Sequence, residues 1–306
     1  MKAMPHMIFA TRPSALARWQ TQAVIGALQQ VWPDLIIHEL VITTRGDRIV
    51  DRPLPEIGGK GLFTQELEVE IHDARVQAAV HSLKDLPVED APALVIAAVP
   101  ERAEVRDALV SARGETLDTL PQGARLGTSS LRRAAQLLAY RPDLRIEPLR
   151  GNVDTRLRKV QAGQVDAAVL AGAGLVRLGL EGAVSQWLPL EVVLPAPGQG
   201  ALAVQCRLDD EQTRHWLEAL EHTPTRQATS AERAFLSALG GGCSLPVAAY
   251  AVVSEQGIAL QGLVASLDGQ RVIRCQAQGA DPHIVGRQAA QQALEQGACD
   301  LLAQVV

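Results

Sequence analysis

The chain has 306 residues, of which 47% are hydrophobic and 21% charged, and a formal net charge of −5. That length allows two or three domains at roughly 150 residues each, and the composition excludes a disordered chain. No run of about 18 apolar residues occurs, and MKAMPHMIFATR is too briefly apolar for a secretory leader, so the expected address is cytoplasmic with no membrane contact.

In chain order, MIFA (7–10) predicts a short strand, Thr11 or Ser14 the cap of a helix through about Gln30, and LIIHELVI (35–42) the next strand. LFTQELEVEIHD (62–73) places Phe63, Leu67 and Ile71 at i, i+4 and i+8, one apolar helical face. VQAAV (76–80) follows and recurs as VDAAV (165–169). IFATRPSALA and RLGTSSLRRAA likewise both run from apolar strand through a hydroxyl-rich turn into a helix. Such repetition predicts two similar halves, each a largely parallel sheet covered by helices, with turns whose free backbone N–H groups suit an anion. AAVPERAEVRDAL (97–109) predicts an exit from the first half and LPAPGQGALAV (194–204) a return to it. The two crossings imply a discontinuous first domain, a two-stranded hinge and a ligand cleft between lobes. Farther on, TSAERAFLSAL predicts a helix with a Thr229/Glu232 capping box, and the alternating YAVV and IALQGLVAS a small sheet backed by a last helix. The expected domains are 1–100 with 198–220, then 101–197, then 221–306.

Charge is unevenly spread. Between Arg125 and Arg177 there are ten Lys/Arg against four Asp/Glu, a local +6 that leaves −11 on the remainder of a chain whose total is −5. A basic island in an acidic chain fits a locally held anionic ligand, and with nine aromatics in all there is little for base stacking, so nucleic acid is not an expected partner. Arg132, Arg133, Arg150, Arg156 and Arg177 sit in or near turns beside Gly or Ser, where guanidinium forks and backbone donors can hold a ligand with several acidic arms. Arg141, Arg145, Arg158 and Lys159 are expected on solvated helix faces.

Other candidate groups have competing bland readings. Lys84 and Asp85 in HSLKDLP (81–87) are either a solvated surface pair worth about 0–1 kcal/mol or, at a strand's carboxyl end, charges that serve binding and chemistry. GGGCSLP (240–246) strips side chains from around Cys243, as a bulky neighbour would require; equally, it is a corner whose cysteine packs as a small hydrophobe. His81 is expected to be structural. GGKG (58–61) lacks the Ser or Thr that a nucleotide-phosphate loop needs after its lysine. Cys206, Cys243, Cys275 and Cys299 are too dispersed for a zinc site or a disulfide framework, so no metal is expected.

ATRPSALA, GGKGLFTQELE, HSLKDLP, GTSSLRRAAQL, LRGNVDTRL, LVRLGL, LPAPGQGAL, CRLDD, ERAFL and GGCSLP occur in an order and spacing that resemble the porphobilinogen deaminase (hydroxymethylbilane synthase) family, from about residue 8 to near the C-terminus. The resemblance implies an α/β fold of three domains: two lobes like those of type II periplasmic binding proteins around a cleft, and a small α+β C-terminal domain. It implies an enzyme of porphyrin biosynthesis that joins four porphobilinogen molecules, releases ammonia and yields linear hydroxymethylbilane. By the same match, Cys243 carries a covalent dipyrromethane cofactor through a thioether and Asp85 is the catalytic carboxylate. Cofactor contacts then fall to Ser82, Lys84, Thr128, Ser129, Ser130, Arg132, Arg133, Arg150 and Gly151. Substrate contacts fall to Arg12, Ser14, Gln20, Phe63, Arg150, Arg156, Ala171, Arg177 and Gln199. A monomer that passes its product to uroporphyrinogen-III synthase is implied as well. Glu56 departs from the lysine expected shortly before GGKG, which weakens a basic contact from an expected lid at residues 46–60. Two other classes stay open on residues alone: a two-lobed carboxylate-binding module without catalysis, and a transferase using Cys243 as a transient nucleophile.

Overall fold

A computed structural model describes residues 6–48, 61–89, 91–241 and 245–303. They form two compact units: one takes the described residues up to Arg102 together with Ala201–Arg226, the other Ala103–Gly200 and the residues from Gln227 onward.

In the first unit, β1 (His6–Thr11), α1 (Ala15–Val31), β2 (Ile36–Val41), α2 (Arg45–Arg48), α3 (Gln65–His72), β3 (Ala78–Ser82) and β4 (Leu94–Ala98) are joined by β10 (Leu202–Arg207) and α7 (Glu211–Glu218). The strand order is β2-β1-β3-β10-β4. β1 runs parallel to β2 and β3, whereas β10 is antiparallel to β3 and β4. The strands read as continuous apolar runs because both faces are covered. Phe9, Ala78 and Val80 pack with Val24, Ile25 and Leu28 of α1, while Ala10 and Ala79 pack with Leu67 and Ile71 of α3.

The second unit repeats this plan. β5 (Asp107–Ser111), β6 (Arg125–Gly127), α4 (Leu131–Tyr140), β7 (Arg145–Glu147), α5 (Val153–Gln161), β8 (Ala167–Ala171), α6 (Gly172–Arg177) and β9 (Gln186–Trp187) give the order β7-β6-β8-β5-β9. The two parallel and two antiparallel pairings fall in the same places. The equivalence reaches single atoms. Phe9 stands opposite Ala78 as Leu126 stands opposite Ala167. Gln77 Oε1 accepts from Ile8 N at 2.8 Å, and its counterpart Asp166 Oδ2 accepts from Arg125 N at 2.7 Å. VQAAV and VDAAV are therefore the same central strand of two similarly built lobes, which are the two similar halves expected.

The same unit contains α8 (Thr223–Ala238) from Gln227 on, and the antiparallel meander β11 (Val247–Ser254), β12 (Gly257–Ala265) and β13 (Val272–Gly279), followed by α9 (Pro282–Glu295) and α10 (Ala298–Leu302). Phe235 of α8 and Val285, Ala289 and Ala293 of α9 cover one face of this small sheet. Among the described residues no helix is long and apolar enough to cross a membrane, and no group of acidic, His and Cys side chains could hold a metal.

Two local expectations fail. α8 starts at Thr223, where Pro224 suits a first turn, so Thr229 and Glu232 lie mid-helix and form no capping box. The Glu232 side chain is fully buried, and its carboxylate accepts instead from Gly198 N at 2.7 Å and Ala251 N at 2.8 Å. α3 begins at Gln65, so Phe63 lies ahead of the helix and only Leu67 and Ile71 point into the core.

Candidate active site

In each lobe the expected site residues gather at the edge where the parallel strands end. This edge is where α/β sheets bind ligands, because the following helices open there with unpaired N–H groups. In the first lobe, Arg12 follows β1. Its guanidinium makes a two-pronged ion pair with Asp47 and lies 4.2 Å from the centre of the Phe63 ring. Asp47 Oδ2 also accepts from Thr44 N at 3.1 Å and Thr44 Oγ1 at 2.8 Å. Burial alone would push the Asp47 carboxyl up, but Arg12 and Thr44 outweigh it and hold it below its ordinary value. Ser14 caps α1, its Oγ accepting from Ala17 N. Gln20, buried in α1, donates to Ser82 Oγ at 3.0 Å and ties the helix to the end of β3.

A single 3-10 turn, Leu83–Asp85, continues from β3. Leu83 is buried and anchors it, while Lys84 and Asp85 are half-buried. Among the described residues no hydrogen bond or ion pair engages the Asp85 carboxylate. His81, in β3 two residues before this turn, is buried. Burial first, with a smaller push from the Arg12 charge against a pull from Gln205, brings its pKa down to about 4. A neutral buried imidazole fits the structural role expected.

It also gives a pH signature. The unfolded chain takes up a proton at His81 below about 6.5 while the folded chain does so only near 4. Stability is therefore lost as pH falls through that interval, by up to about 3 kcal/mol. Urea titrations should show wild type losing this increment between pH 6.5 and 4 relative to His81→Gln; parallel profiles would exclude it.

The second lobe gathers the basic residues. Ser130 caps α4, Thr128 Oγ1 accepts from Ser130 N at 3.2 Å, and Ser129 Oγ exchanges two 3.1 Å bonds with the backbone of Leu149. The next residues form the Arg150–Gly151 loop. Gly151 has φ +115°, and a Cβ there would lie 2.7 Å from the Thr155 side chain, so only glycine fits. Arg156 Nε donates to Gly151 O at 2.8 Å and Lys159 Nζ to Arg150 O at 3.1 Å. Lys159 is therefore half-buried and holds this loop rather than lying on a solvated face. Arg141, also expected in solvent, instead grips Asp143 and the carbonyls of Leu117 and Leu120.

Arg132, Arg133, Arg177 and Gln199 are all buried. Arg132 and Arg133 converge on Asp107, the first residue of β5 and the partner of Ala171 in the sheet. Gln199 joins them, donating to Asp107 and to Val105 O. Arg177 donates to Gly200 O at 2.7 Å, and burial lowers its pKa to about 10, which leaves it charged at neutral pH. Among the described residues, two guanidinium nitrogens, Arg133 Nε and Arg150 Nη1, are buried with no hydrogen-bond partner. A buried unsatisfied cationic donor is expensive and calls for an anion. These orphaned atoms fit the acidic arms of a dipyrromethane.

Comparison with known proteins agrees. Residues 7–215 match the family model "Porphobilinogen deaminase, dipyromethane cofactor binding domain" and residues 227–295 match "Porphobilinogen deaminase, C-terminal domain". The chain belongs to the porphobilinogen deaminase family. Relatives named porphobilinogen deaminase include that of Brevibacillus brevis, 52% identical over 97% of this chain and 96% of the relative. The Roseiflexus relative is 50% identical over 97% and 98%, and the Geobacillus kaustophilus relative 48% over 99% and 98%. Among solved structures, the BenM effector binding domain with its effector benzoate aligns at a TM-score of 0.44 and 12% identity, covering 72% of this chain and 91% of that one.

Cys243 lies outside the described residues, as do residues 49–60 of the expected lid. Of the other cysteines, Cys206 and Cys275 are buried, which pushes their thiols up to about 12 and about 11; Cys299 is exposed. Sequence reasoning passed over Asp47 and Asp107 and gave Glu232 a capping role, yet these carboxylates hold the site's framework. Their only signal was acid placed among apolar or glycine neighbours, as in VRDALV.

Proposed function

We propose that this member of the porphobilinogen deaminase family joins four porphobilinogen molecules into hydroxymethylbilane with release of ammonia, using Asp85 as the catalytic carboxylate. The observation that carries this is a half-buried carboxylate with no partner among the described residues, held by a short turn at the carboxyl end of a central strand. Loss of ammonia from porphobilinogen leaves a methylene-pyrrolenine cation, and a fixed unpaired carboxylate stabilises positive charge as it develops. The same group can hold a proton for the departing amine. A dipyrromethane on Cys243, when bound, supplies the pyrrole end to which substrate adds. Arg132, Arg133 and Arg150, with backbone donors of the 128–130 turn, would hold its acidic arms; Arg12, Arg156 and Arg177 would take those of the substrate. Location in the cytoplasm, a monomeric state and transfer of product to uroporphyrinogen-III synthase belong to the same proposal and rest on the family resemblance. The test is incubation with porphobilinogen: four ammonia released per linear tetrapyrrole supports the reading, and binding without ammonia release leaves a carboxylate-binding module.

Arg12 offers a finer check. A Cβ on Gly46 would come within 2.2 Å of the Phe63 ring, the platform under Arg12. Gly46→Ala should displace the ring and remove a contact of about 0.5–1 kcal/mol. KM for porphobilinogen should then rise about two- to fivefold with kcat nearly constant. An unchanged KM would separate the Arg12–Phe63 stack from substrate binding.

A further inference from the structure

We infer that Asp107 is a positioning residue of the cofactor site: its buried carboxylate fixes the guanidiniums of Arg132 and Arg133 and leaves the cluster one anion short, so that a single carboxylate arm of the cofactor completes it. The inference rests on the proposal that these arginines hold the dipyrromethane. Adjacent residues of a helix project about 100° apart, yet Arg132 and Arg133 reach the same carboxylate: Asp107 Oδ2 accepts from Arg132 Nη2 at 2.8 Å and Oδ1 from Arg133 Nη2 at 2.7 Å. Each guanidinium has a second anchor at Nη1, Leu194 O at 2.6 Å for Arg132 and Val169 O at 3.1 Å for Arg133. Two anchors on one planar group fix its plane, so the carboxylate decides where the remaining donors point. Gln199 Nε2, 2.9 Å from Oδ1, braces Asp107 in turn.

The charges do not balance. Two cations share one anion in a site where Asp107 is fully buried and both arginines more than nine-tenths buried. Arg133 Nε has no hydrogen-bond partner among the described residues. One incoming carboxylate would cancel the surplus charge and supply the missing acceptor, whereas a second would reverse the sign and be repelled. The cluster therefore takes one arm.

Asp107 also accepts from Gln199, whose amide bonds Val105 O as well, so a purely architectural role must be separated from positioning. The measurement is the loaded fraction of as-purified protein by intact mass, beside thermal melting, for Asp107→Asn, Arg133→Gln and the double variant. Asp107→Asn should load about tenfold less than wild type, the scale seen when a partner orienting a ligand-holding group is removed. The double variant restores the local charge and should melt above Asp107→Asn, yet load severalfold less than Arg133→Gln because Arg132 remains unguided. Loading that recovers in step with melting would make Asp107 architectural and overturn the inference, as would full loading of Asp107→Asn beside a depleted Arg133→Gln. If Asp107→Asn does not fold, equal loading of the double variant and Arg133→Gln overturns it. Full loading of Arg133→Gln removes the proposal underneath, and the inference with it.

Discussion

Asp85→Asn should fold normally, load its cofactor and turn over about a thousandfold more slowly. The stability half follows from the carboxylate's isolation. With no hydrogen bond or ion pair to lose among the described residues, and only partial burial, a near-isosteric amide should shift stability by no more than about 0.5 kcal/mol. The kinetic half follows from Coulomb's law. A carboxylate about 4 Å from a developing cation, at an effective dielectric near 20, contributes about 4 kcal/mol. If that interaction is confined to the transition state, its loss is close to three factors of ten. An amide keeps the shape and loses the charge, so kcat should fall while KM moves little. Undiminished turnover would remove Asp85 from the mechanism, and a collapsed melting curve would show that its charge serves the fold.

The lobes were legible in the sequence because their strands are buried on both faces. Such strands read as unbroken apolar runs, and VQAAV and VDAAV mark equivalent central strands because small alanines are needed beneath helices on either side. The arginines near turns were visible through their Gly and Ser neighbours. What holds them was not. Asp107 contacts residues 25 and 26 positions away in sequence, and Glu232 reaches Gly198 across 34; nothing in local periodicity encodes such pairings. The capping box on Thr229 and Glu232 failed for the same reason. A Ser/Thr-x-x-Glu spacing is a local signal, and here burial of the glutamate against two distant backbone N–H groups overrides it. Phe63 failed by a boundary: a three-residue apolar period does not say at which residue the helix begins.

Intact mass should find the purified chain heavier than its polypeptide by two linked pyrrole units, and Cys243→Ser at the bare mass and inactive. A thiol near its ordinary pKa supplies some thiolate at neutral pH, whereas a serine hydroxyl supplies essentially no alkoxide, so the substitution removes the nucleophile with little change in size. The remaining sulfurs cannot substitute equally. Burial drives Cys206 and Cys275 up to about 12 and about 11, which keeps them protonated and enclosed by their cores. Cys299 is exposed at the start of α10 and is the stringent control: Cys299→Ser should retain the added mass. An adduct that survives in Cys243→Ser and vanishes in Cys299→Ser would move the attachment to α10. A chain that carries no adduct in any form, yet forms a mass transiently with substrate, would make Cys243 a passing nucleophile and the orphaned donors of Arg133 and Arg150 sites for substrate alone.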